Sequence, residues 1–206
     1  MTDTESNGGA AHVPTQRNGH GSEAILAGLD RRLVAVEEAA SALLVAAIFV
    51  ILAANVILRS IGQPLLWADE LAVLLMVCAA FLGAAVALAR GQHMAVTLLL
   101  DNLPQRLRSW VLIGVDLIAL GFFVILAFLC WRWFDPVTAF GAESLQAYSL
   151  DSYNFIYQER TLTFGAAKVW FWLVLPLFAI LSILHALAAL ERDIHRARRC
   201  AEGGAQ

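Results

Sequence analysis

The chain has 206 residues, 60 % hydrophobic and 15 % charged, with a formal net charge of −3 and a mean hydropathy of +0.69. Soluble domains carry about 25 % charged residues, so this composition excludes an ordinary water-soluble enzyme and argues for an integral membrane protein with no nucleic-acid partner. Its three cysteines, Cys78, Cys130 and Cys200, have no CxxC spacing, which speaks against a disulfide framework or a thiolate metal site.

In chain order, residues 1–21 are rich in Gly, Ser, Asn and Thr and contain no apolar core of a signal peptide. They are expected to form a disordered tail. From Ser22, a plausible N-cap, the spacing of Ile25, Leu29, Leu33 and Val36 places apolar residues on one helical face, as in an interfacial lead-in helix or a polar extension of the first span.

The first span is predicted at 39–58, preceded by Glu37 and Glu38 and closed by Arg59. Gly62 and Pro64 then turn the chain, and a second span follows at about 68–89, ended by Arg90. Its 19 uncharged residues at 71–89 approach the roughly 20 needed to cross about 30 Å of hydrocarbon. Residues 91–108 are too polar at both ends to cross and are expected to lie on the membrane surface. A third span at 110–134 contains Asp116, and a fourth at 169–190 contains Pro176 and His185. Between them, residues 135–167 hold four acids and one base together with Tyr148, Tyr153, Phe155 and Tyr157. A connection this long is functional or has short structure of its own.

Arginines 17, 31 and 32, then 90, 106 and 108, then 192, 196, 198 and 199 mark the N-terminal flank, the second connection and the C-terminal tail. By the positive-inside rule, these lie in the cytoplasm. The expected fold is therefore all-α: a four-transmembrane-helix bundle at 22–192 with both termini cytoplasmic, a periplasmic insertion at 135–167, and a cytoplasmic tail at 193–206.

Several residues stand out. Arg59 leaves the first span at the surface where Asp69 and Glu70 begin the second, so a salt bridge across the turn is expected, with Trp67 as an interfacial anchor. Asp116 and His185 are ionisable groups inside spans, each on the order of 10 Å from the same surface by helical rise, and a hydrogen bond between them is expected. Ala79, Gly83 and Ala87 form a small-residue row that lets another helix approach closely. His93 and His185 raise the alternative of a membrane-anchor subunit of a b-haem redox complex; otherwise no cofactor, metal or catalytic site is expected.

The ordered set Arg59, Gly62, Trp67, Glu70, Leu71, FLGAA at 81–85, Arg90, Gly91 and His93, and LVLPL at 173–177 resembles the small permease subunit of tripartite ATP-independent periplasmic (TRAP) transporters. The resemblance covers most of the chain from 39 to 190. It implies a bacterial inner-membrane protein that is not an enzyme and assembles with a large permease subunit. That subunit carries organic acids delivered by a periplasmic binding protein and is coupled to an ion gradient, while the small subunit braces it. Arg59, Trp67, Glu70, Arg90, Gly91 and His93 match the family positions and are implied to be structural or subunit contacts. The insertion at 135–167 is longer than the resemblance implies, and is expected to touch the large subunit or the binding protein.

Overall fold

A computed structural model describes residues 20–91 and 104–203. Its architecture is all-helical, with four helices long and apolar enough to cross a membrane: Asp30–Ser60, Leu66–Ala89, Leu107–Gly141 and Val169–Arg199. The first is part of α1 (His20–Ser60). The lead-in segment is therefore not separate but continuous with the first span, because no glycine, proline or cap interrupts the heptad between Asp30 and Val36. Residues 1–19, which hold nearly all of the expected tail, lie outside the described residues, as do 92–103, which include most of the expected surface segment and His93.

Helix α1 ends in a Schellman turn. Gly62 takes a φ of 80°, Gln63 N–H donates to Leu58 O at 2.9 Å and Gly62 N–H to Arg59 O at 3.1 Å. Only glycine enters this left-handed region without Cβ strain, and Pro64 then prevents helix from resuming at once. Helix α2 (Leu66–Ala89) runs back and stops at Gly91, again left-handed with φ 61°. Helix α3 (Gln105–Phe134) crosses next and ends at Asp135, a non-glycine residue with φ 36°.

The insertion has structure of its own. Asp135 Oδ1 accepts from Thr138 N–H and Oγ1, and Pro136 occupies the first turn, the favoured start for a helix. Helices α4 (Pro136–Gly141) and α5 (Leu145–Ser152) follow, and an isolated bridge pairs Arg160 with Ala167. The last span is broken into α6 (Val169–Trp172) and α7 (Val174–Gly203). Pro176 has no N–H for the carbonyl of Trp172, four residues earlier, which accounts for the break. Helix α7 continues well beyond residue 192, so the segment expected as a tail is helical as far as Gly203.

Helix α1 packs on α2, α2 on α7, and α7 on α3. Ala85, Phe123, Phe178 and Ala186 form the buried centre, where the Phe178 ring lies 5.2 Å from Phe81 and 5.7 Å from Phe123. Offset and edge contacts of this kind suit the ring quadrupoles. Only 6 % of the 18-residue apolar stretch is buried in each of the first and third spans, against 28 % in the second and 39 % in the fourth. The two outer helices thus display apolar side chains such as Leu43, Phe49, Ile118 and Phe128 outward, as a bilayer requires.

Candidate functional site

Three polar clusters join elements that are distant in sequence. At the end of the bundle that carries the described ends of the chain, His185 is completely buried on α7. Its Nδ1 lies 2.7 Å from Asp30 Oδ1, and its Nε2 lies 3.0 and 3.1 Å from the two oxygens of Glu37. Arg192 Nη1 donates to Asp30 Oδ2 at 3.1 Å. Asp30 and Glu37 are two helical turns apart on α1, as His185 and Arg192 are on α7, so each pair shares a face. The imidazole thus bridges two carboxylates of α1, and Arg192 shares one of them. A fourth tie, Arg90 to Glu38, joins the end of α2 to α1 at a partly exposed position where ion pairs contribute little.

His185 is accordingly not paired with Asp116, as the sequence suggested; both its ring nitrogens face α1. Asp116 is buried on α3 and lines a cavity of about 350 Å³ with Arg90, Arg108, Arg192 and Arg196. Sequence reasoning missed Asp30 and Glu37 as partners. The available signal was the matching seven-residue spacing of 30 to 37 and 185 to 192.

At the opposite end the hairpin turn is held by an amide. Asn55, buried on α1, donates through Nδ2 to Asp69 Oδ1 at 3.1 Å and accepts from Leu65 N–H at 2.8 Å. Glu70 accepts from the N–H groups of Leu162 and Thr163, both at 2.9 Å, and from Thr163 Oγ1 at 2.6 Å. The expected Arg59 bridge is therefore replaced: Asp69 serves Asn55, and Glu70 latches the insertion. Arg59 stays exposed in the last turn of α1, where a cation suits the helix dipole. Trp67, at the start of α2, is 38 % exposed.

The insertion is pinned to the end of α3. Tyr157 donates its hydroxyl to Phe134 O at 2.6 Å, and Asn154 Nδ2 donates to Trp133 O at 2.6 Å and to Tyr148 Oη at 3.1 Å. Lys168 pairs with Glu159 at 2.8 Å. Burial, then the neighbouring Tyr148 and Asp135, push the Tyr157 phenol above its ordinary pKa. Gly83 belongs to none of these contacts: a Cβ placed on it would meet nothing within 4 Å. Its small-residue neighbours Ala80, Ala84 and Ala87 are exposed along α2 with Val73 and Met76.

All three clusters bind one helix or loop to another. The haem alternative finds no support, since both nitrogens of His185 are committed to carboxylates and His93 lies outside the described residues. A family model described as "Tripartite ATP-independent periplasmic transporters, DctQ component" matches residues 48–196.

The chain belongs to this TRAP transporter family. It is 28 % identical over 157 residues to the sialic acid TRAP transporter permease protein SiaT of Haemophilus influenzae, a match covering 75 % of this chain and 22 % of that protein. It is 29 % identical over 97 residues to the sialic acid TRAP transporter small permease protein SiaQ of Vibrio cholerae, covering 45 % of this chain and 56 % of that protein. The chain thus spans between about a fifth and just over half of the length of these curated relatives. As a DctQ component it is a multi-pass protein of the inner membrane. The family match begins at residue 48, so it includes His185 and Glu70 but neither Asp30 nor Glu37.

Proposed function

We propose that this DctQ component is the small membrane subunit of a TRAP-type secondary transporter. It braces a large permease subunit during ion-coupled uptake of organic acids handed over by a periplasmic binding protein, and it catalyses no reaction itself. The family match carries this reading. It is supported by the SiaT comparison, in which the matched stretch occupies only 22 % of the relative: there a unit like this chain is one part of a much larger permease polypeptide. The chemistry is in keeping with a support. Asp30, Glu37, His185 and Asn55 are consumed in contacts between helices or across the hairpin, and that is how polar groups stabilise a bundle in lipid.

In this reading both termini face the cytoplasm and the 135–167 insertion faces the periplasm. The exposed α2 stripe of Val73, Met76, Ala80, Ala84 and Ala87 receives a helix of the large subunit, with Gly83 at its margin. Arg59, Trp67, Asp69, Arg90, His93 and Asp116 serve as structural or subunit-contact positions, while Glu70 and His185 hold the frame. The test is reconstitution. Vesicles with this chain, the large permease and the binding protein should accumulate the organic acid, and omission of this chain should abolish uptake. Solute flux through vesicles containing this chain alone would refute the proposal.

A further inference from the structure

The insertion is tethered close to the ends of the spans. Glu70, near the start of α2, holds the backbone of Leu162 and Thr163, and the last two carbonyls of α3 hold Asn154 and Tyr157. Helix α4, separated from α3 by Asp135 alone, is six residues long, so Phe140 lies within about 10 Å of the α3 end by helical rise. Within this shallow layer Leu162 is 93 % exposed, Phe140 86 % and Val137 71 %, with Trp170 at 71 % in the first turn of α6. Val137 and Phe140 lie at the far end of the third apolar helix and Trp170 at the start of the fourth, and large exposed apolar side chains at such ends need a cover.

The height of the tethers identifies what covers them. The polar zone on each side of the hydrocarbon is about 5–8 Å deep, so a segment tethered to the ends of the spans lies beside it. Leu66, Trp67, Trp131 and Trp133 are also exposed at the ends of α2 and α3, and tryptophan is enriched at membrane interfaces. We infer that the 135–167 insertion lies on the bilayer as a monotopic cap, with Leu162 and Phe140 seated at the boundary between phospholipid headgroups and acyl chains. The insertion's exposed acids, Glu143 and Asp151, remain on the aqueous side. Its affinity therefore comes from apolar area and not from attraction to anionic lipid.

A variant with its three cysteines replaced by alanine, bearing a single Leu162→Cys, Phe140→Cys or Glu143→Cys labelled with an environment-sensitive fluorophore, tests this in phospholipid vesicles with and without the large permease. The cap predicts that lipids brominated high on the acyl chain quench positions 162 and 140 several-fold more than position 143, while aqueous iodide does the reverse. It also predicts that Glu70→Ala lowers lipid quenching at 162 and leaves 140 unchanged. Equal iodide access at all three positions overturns the inference. So does lipid quenching at 162 and 140 that disappears when the large permease or the binding protein is added, because the surface would then belong to a protein partner. Neither result bears on whether uptake requires this chain.

Discussion

At the scale of single residues, the placement of His185 decides how the chain holds together. Removing one partner of a buried ion pair costs about 3–5 kcal/mol, since the remaining charge is left desolvated. His185→Ala should therefore destabilise the detergent-solubilised protein by about 3 kcal/mol in thermal unfolding. A cycle combining it with Glu37→Gln should show a coupling energy of about 1 kcal/mol or more, whereas pairing it with Asp116→Asn should give additive effects. Tyr157 makes a pH prediction. Its folded-state pKa is raised, so the stabilisation it provides is complete below the ordinary tyrosine value of about 10 and is lost as pH rises through the folded value. In an alkaline titration followed by tyrosinate absorbance, a late-ionising phase should appear and should vanish in Tyr157→Phe. That His185, Glu70 and Asp69 are ionisable groups in or beside spans was legible. Their partners were not. Helical periodicity assigns a residue to a face, but the meeting of Asp30 with His185 depends on helix order and rotation across a separation of 155 residues.

At the scale of elements, the spans and their stops follow from local physics, and hydropathy finds them. The Gly62 turn, the proline-interrupted entry to the last span and the arginine-marked ends can each be read within a few residues. The fusion of the lead-in segment with the first span was harder to read, because amphipathic spacing is the same in an interfacial helix and in a helix packed on a neighbour. Substituting Gly62→Ala places a Cβ in the left-handed region and should cost about 1–2 kcal/mol, measurable as a lowered midpoint of thermal unfolding. A bulky residue on the open stripe of α2 should act differently. Ala84→Phe should change the stability of the isolated chain by less than about 0.5 kcal/mol and yet abolish co-purification with the large permease. Retained co-purification would move that contact to another helix.

For the molecule as a whole, the four spans, the tethered insertion and the membership of the TRAP family describe a frame whose polar groups are spent on its own joints. Orientation is checked by labelling with a membrane-impermeant thiol reagent: Leu150→Cys should react from the periplasmic side of intact cells, and Arg199→Cys only after the membrane is opened. Helix α1 has a further consequence. Its 41 residues at about 1.5 Å each make a rod of roughly 60 Å, twice the depth of the hydrocarbon, clamped near its lower third to α7. A pull or push on the overhang cannot be absorbed by a hinge, since none exists between His20 and Ser60. Any displacement of the overhang would instead be carried along one continuous helix toward the Asn55 joint at its other end.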